Sequence, residues 1–397
     1  MIKSYMMKKA SFLKIFYTSL ILFFITTACK SQNATFTNEL TGFSLEGETA
    51  FNYATDLWGN YLISDVPIKI IAHFTFLLPG QLGITFPNGE LNFTDAPINN
   101  VWFASSLANA ISGLELNPGE ADMEIYLNAS VSWYFGLDGN PGPGQYDFVS
   151  TVLHEVCHGL GFLSLANKIV GEGSFGLIDA SAFAPLTTTF PWPDLDTLPS
   201  IFDYYLETEG GARLVTFENP SDELATEFTG SSVYFSSPSV IEDNGGFAGR
   251  IYAPSTFALG SSLSHWNEGT YPVGNPNELM TPQAAPGHSS FTPGPLTLAL
   301  LDDIGWEINY DTATAISEWN SSDNFNIYPN PVSDILFIES DVGNYSIQIF
   351  NYEGKPVTEY YKPAYPIDIS FLSDGIYLLT IWDKNKKIFF SKTIVKF

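Results

Sequence analysis

The chain has only five histidines in 397 residues, and two of them, His154 and His158, stand four apart in "HEVCHGLGF" with Glu155 directly after the first. Residues four apart lie one above the other on an α-helix, so this spacing asks for a helix and aims both imidazoles at one point. Imidazole pairs of this kind suit zinc. Glu155, about 100° round the helix from His154, is close enough to serve as general base toward a water beside the ion. A catalytic zinc takes three protein ligands and keeps one position open. The motif therefore constrains the rest of the fold, because a third donor has to return to this helix from elsewhere. Gly161 stands three residues after His158, and glycine tolerates the positive φ that a turn can require. Ser164 follows three positions later and is not assigned, because serine is a poor zinc ligand.

The remaining histidines differ in setting. His73 lies in "VPIKIIAHFTFLL", a run of β-branched and aromatic residues that reads as a strand, and is taken as a sheet residue. His288 lies in the loop "APGHSSFTPG" and receives no role. His265 lies in "LSHWNEGTYPVGNPNELMTP", which also carries Met280. Cys157, between the motif histidines, reads as a small buried residue on the core side of the helix.

Around the motif the order is helix, strand, helix, strand, active helix, an α+β or α/β plan. Apolar spacing predicts helices over 49–62 and 98–112, and alternation predicts a half-buried strand over 122–128. Gly and Pro make 136–145 a loop, and Asp147 is placed as N-cap of the helix that follows. Residues 165–264 form an irregular insertion. Residues 293–308 read as a helix with Pro295 in its first turn and Gly305 past its end. A polar linker over 316–324 leads to short alternating strands over 325–397, which read as a small all-β, Ig-like sandwich.

The order "HEVCHGLGF", long insertion, "SHW…NELMTP" and "GPLTLALLDDIGW" resembles the leishmanolysin-type metzincins. The resemblance implies an α+β metzincin-like catalytic domain over 33–315, with the third histidine displaced by the insertion. By that likeness His154, His158 and His265 are the zinc ligands, Glu155 is the catalytic base, and Met280 is the turn methionine beneath the metal. It also implies that the 122–128 strand is the edge strand to which an extended peptide substrate adds. The chain lacks the cysteine framework of the family's eukaryotic members. The tail, with "NIYPNPVSD", "SIQIFNYEGK", "GIYLL" and "KTIVKF", resembles the C-terminal sorting domain of type IX secretion substrates of Bacteroidetes. That implies the type IX machinery as a partner of 325–397, and delivery to the cell surface or medium through the periplasm.

Charge and termini agree with export. Residues 33–320 carry 34 Asp/Glu against 4 Lys/Arg, a net of −30. Such a surface repels nucleic acid, so no nucleic-acid partner is expected. Its plainest meaning is solubility outside the cell, and no calcium site is singled out, although calcium would suit an acidic chain. Lys3, Lys8, Lys9 and Lys14 precede a short apolar run, which reads as a signal peptide over 1–28, with Cys29 in a weak lipobox as the alternative. The only other cysteine is Cys157, so an internal disulfide is not expected once Cys29 is removed or lipidated. The expected function is a secreted zinc endopeptidase acting on proteins or peptides. The alternatives are a catalytically silent adhesin on the same scaffold and a zinc hydrolase with a non-peptide substrate.

Overall fold

The computed structural model describes residues 32–183, 186, 196–310, 326–339, 346–351, 355–361, 366–382 and 388–397. The expected signal peptide, Cys29 and the 316–324 linker lie outside the described residues.

The first half is built on a four-stranded sheet of β1 (Phe36–Thr41), β2 (Ile68–Thr75), β3 (Gly83–Pro87) and β4 (Met123–Asn128). The spatial order is β1-β2-β4-β3. β1, β2 and β4 run parallel, and β3 is antiparallel to β4 with Gly83 opposite Leu127 and Thr85 opposite Ile125. The expected edge strand is thus an interior one. β4 pairs on both sides and buries five of its six residues, instead of alternating between core and solvent. β3 takes the edge position, and among the described residues no further strand pairs on its outer side.

Helices α1 (Leu45–Tyr61), α2 (Ser105–Ser112) and α3 (Phe148–Gly159) accompany this sheet. α1 starts four residues before the expected point because the Ser44 side chain accepts from Gly47 N–H and caps it there. α2 is shorter than expected, because Trp102–Ala104 pairs as a strand with Gly89–Leu91. α3 starts where the sequence places it, with Asp147 accepting from Ser150 N–H. Val149, Val152, Leu153, Val156 and Cys157 are all fully buried, so α3 runs through the core and does not lie on the surface. Each such side chain contributes about 1.5–3 kcal/mol if fully withdrawn from water. Trp58 of α1 locks onto α3 by donating its indole N–H to the Leu153 carbonyl at 3.0 Å.

The insertion contains a hairpin, Ala166–Ile169 with Glu172–Phe175, and a three-stranded antiparallel sheet of Leu206–Thr208, Val233–Phe235 and Gly249–Arg250. It does not form a separate core. Phe175, Phe202, Phe235 and Trp266 belong to the same buried cluster as Trp58 and Phe148, which runs from Ala34 to Ile308. Helix α4 (Pro295–Ile304) follows, with Gly294 before it and Gly305 after it, both at positive φ. It ends short of the expected 308 because Glu307–Ile308 turns into a strand beside Leu62–Ile63. Among the described residues no helix is long and apolar enough to cross a membrane.

The C-terminal residues form two antiparallel sheets. β5 (Asn326–Tyr328), β6 (Ile335–Glu339) and β9 (Ile367–Asp368) make one. β7 (Ser346–Phe350), β8 (Pro356–Tyr361), β10 (Gly375–Trp382) and β11 (Ile388–Lys396) make the other. Both sheets feed one apolar cluster that includes Ile327, Leu336, Ile347, Ile349, Leu379 and Ile381.

Candidate metal centre

His154 and His158 project from consecutive turns of α3, and their Nε2 atoms lie 3.1 Å apart. His265 arrives from 111 residues downstream and places its Nε2 3.3 Å from that of His154. The three form a cluster able to coordinate a metal ion. His73 and His288 stand outside it.

The local folding behind each ring can be traced. After α3, Gly161 adopts φ +110°, and the Phe162 N–H returns to the Cys157 carbonyl at 3.2 Å. That left-handed turn brings the Phe162 carbonyl onto His158 Nδ1 at 2.7 Å. A Cβ on Gly161 would also meet Ile304 Cδ1 at 3.1 Å. His265 is held by its neighbours: its carbonyl accepts from Tyr252 N–H, and the next residue, Trp266, donates its backbone N–H to the Met280 carbonyl, both at 2.8 Å. The Trp266 indole is fully buried and donates to Thr297 Oγ1 of α4 at 3.1 Å. Met280, also fully buried, sits in a turn closed by Thr281 N–H on the Glu278 carbonyl. The adjoining Leu279 carbonyl takes His154 Nδ1 at 2.7 Å.

The donor set fits a cation. His154, His158 and His265 each set Nδ1 against a backbone carbonyl, of Leu279, Phe162 and Ser261 respectively, at 2.7–2.8 Å. A carbonyl only accepts, so each Nδ1 carries the proton and each Nε2 is left with a bare lone pair. Burial pushes all three rings away from protonation; His265 is lowered to about 3 by burial and by His154, and His158 well below its usual value by burial and both neighbours. Three lone pairs facing one another with no proton between them repel unless a cation lies among them. Tetrahedral zinc with nitrogen ligands sets neighbouring nitrogens about 3.3 Å apart, which the separations of 3.1 and 3.3 Å match. The carbonyls are also the outer partners that fix ring tautomer and orientation.

Glu155 is buried beside this cluster and accepts from Thr85 Oγ1 of β3 at 2.7 Å. Burial raises its carboxyl to about 7, against the opposing effect of the Thr85 hydrogen bond. The three histidines, Glu155 and β3 line one cleft of about 730 Å³. Neither lysine nor arginine is among the residues lining it.

Ser164 accepts from Ala166 N–H through its hydroxyl, while its own N–H goes to Ser264 Oγ. Cys157 is a buried free thiol, and burial raises it well above its usual value. His73 is a sheet residue, stacked on Tyr126 and bonded to Glu124 at 3.0 Å. His288 lies in the cleft wall and bonds Glu278 at 2.7 Å. The sequence reading missed Thr85, Trp266 and the Leu279, Phe162 and Ser261 carbonyls. Only the tryptophan has a sequence signal, as a large aromatic directly after the returning histidine.

Residues 326–396 match a family described as the secretion system C-terminal sorting domain. The chain therefore carries a type IX sorting domain at its C-terminal end. Residues 109–174, which contain α3 with His154, Glu155 and His158, match a family described as SPBPB7E8-like. Each match covers well under half of the chain. No curated protein matches it. Among solved structures, it is similar to PorZ, described as an essential bacterial surface component of the type-IX secretion system of the human oral-microbiomic Porphyromonas gingivalis. The identity is 17% and the TM-score 0.17, over 21% of this chain and 13% of that one. A likeness that slight carries no argument about fold or function.

Proposed function

We propose that this chain is a secreted zinc-dependent endopeptidase of the leishmanolysin-like metzincin type, with its catalytic unit over 33–315. The observation that carries the reading is the set of three bare Nε2 lone pairs, on His154, His158 and His265, beside a buried carboxylate in an open cleft. Those histidines would hold the metal, and the Met280 turn would support it from below. Bound zinc would supply Lewis-acid polarisation of the scissile carbonyl and a lowered pKa for a water molecule.

The chain's own residues do the rest. Glu155, buried beside the three histidines and held by Thr85, takes a proton from the attacking water and returns it to the departing amine as the C–N bond breaks. β3 offers the peptide an extended edge: as an outer strand lining the cleft, it can hold the substrate main chain by strand addition. This reassigns to β3 the role that the family resemblance gave to β4. The C-terminal sorting domain supports export to the surface or medium, with the type IX machinery as the partner of residues 325–397. Deleting those residues is expected to stop release, and normal release without them would overturn that assignment.

The test is reversible metal removal. The purified full chain is expected to cleave a denatured protein substrate, to lose that activity with a chelator, and to regain it with zinc. Cleavage that persists in metal-free protein would contradict the reading. A non-catalytic adhesin would have no use for a base buried against the metal cluster, and Glu155 is such a group.

A further inference from the structure

We propose that the edge strand β3 seats the general base as well as the substrate, with Thr85 and Gly83 acting as positioning residues for the Glu155 carboxylate. The inference rests on the peptidase reading for its effect on activity, but the contact it describes exists independently of that reading.

The geometry is specific. β3 alternates, so Gly83 and Thr85 share the face toward α3, while Ile84 and Phe86 turn to a separate apolar cluster with Tyr126 and Leu163. The Thr85 hydroxyl donates to Glu155 Oε2 at 2.7 Å, and both side chains are buried. One step along the same face, Gly83 leaves space. A Cβ there would lie 2.6 Å from Glu155 Oε1 and 2.8 Å from its Cδ and Cγ. Real Cβ atoms do not come that close, so a side chain at 83 would drive the carboxylate off its position. The φ of Gly83 is not positive, so space is what requires glycine here, and backbone strain plays no part.

The two residues act in opposite ways on one carboxylate. Thr85 fixes Oε2 with a charge-assisted hydrogen bond, the kind that survives burial best. Gly83 lets Oε1 lie against the strand backbone. A glutamate has three rotatable bonds, and a base must be held within hydrogen-bond reach of its proton to be effective. The short pattern Gly-Ile-Thr on a cleft edge does this while keeping the outer side of the strand available to a peptide. Substrate binding on β3 and the position of the base are thereby tied to the same three residues.

The test uses the full chain loaded with zinc. Thr85→Val keeps the shape and removes the donor; it is expected to lower kcat about 10–100-fold, the effect of one hydrogen bond to a charged group, with KM and zinc content unchanged. Thr85→Ser is expected to restore most of kcat. Gly83→Ala is expected to lower kcat with zinc retained. A Thr85→Val protein with unchanged kcat, or a Thr85→Ser protein no better than Thr85→Val, would overturn the proposal. A second measurement reads the contact without catalysis. The loss of melting temperature caused by Thr85→Val is expected to vanish or reverse in a Glu155→Ala background. An equal loss in both backgrounds would overturn the seat even if the parent cleaves peptides. If the parent cleaves nothing but this coupling is present, the peptidase reading fails and the seat stands.

Discussion

At the scale of single residues, the arrangement depends on a histidine that no local spacing in the sequence ties to the helix motif. His265 is brought to the cluster by Trp266, whose backbone binds Met280 and whose indole binds Thr297. His265→Ala is expected to weaken zinc binding by more than about 100-fold, beyond what loss of an outer partner produces, while the fold persists on the Trp266 anchor. A zinc competition titration beside a melting curve checks this, and unchanged affinity would remove His265 from the ligand set. His154, Glu155 and His158 were legible because the helical period is fixed by backbone geometry and is the same for every sequence. His265 was legible only by resemblance to a family pattern, since nothing local brings a loop residue to a helix 111 positions away. Thr85 and the three carbonyls were not legible at all. Every residue has a carbonyl, and which one meets an imidazole is settled by tertiary packing.

At the scale of elements, the turn after α3 joins stability to metal binding. Gly161 at φ +110° both ends the helix and directs the Phe162 carbonyl to His158. Gly161→Ala is expected to cost about 1–3 kcal/mol in backbone strain, made worse by the contact with Ile304. It is also expected to lower zinc affinity about 10–100-fold, because the outer partner of His158 shifts. Parallel melting and zinc titrations check both effects; a destabilised variant with parent-like affinity would separate the turn from the site. Sheet order shows the limit of sequence at this scale. Alternation in 122–128 identifies a strand but not its burial on both faces, because the two neighbours of β4 come from 68–75 and 83–87, and pairing between distant strands leaves no periodic signal. β3 is five residues long and includes a glycine and a proline, which is why it did not stand out as a strand at the sheet edge.

At the scale of the whole molecule, the long insertion shares the buried core of the histidine-bearing unit, and it carries a fully buried acid. Asp203 is fully buried and accepts through Oδ2 from Leu165 N–H and from Ser200. Burial raises its carboxyl to about 6 despite those hydrogen bonds. A folded value above the unfolded one means that its contribution is fully present below the unfolded value near 4 and is lost as pH rises through about 6. The loss amounts to about 3 kcal/mol at most. Denaturant midpoints between pH 4 and 7.5 are expected to fall with rising pH, and to fall less in Asp203→Asn. An identical slope in that variant would place the effect elsewhere. The central claim, that a zinc-bearing histidine cluster works with Glu155 on peptide bonds, is tested most directly by exposing a mixed peptide library to the zinc-loaded full chain and to its Glu155→Ala variant. The account predicts internal cleavage by the parent, and loss of about 100-fold or more in the variant with zinc still bound. A folded, zinc-bound parent that leaves the library intact, or a variant that cuts as well as the parent, would contradict it.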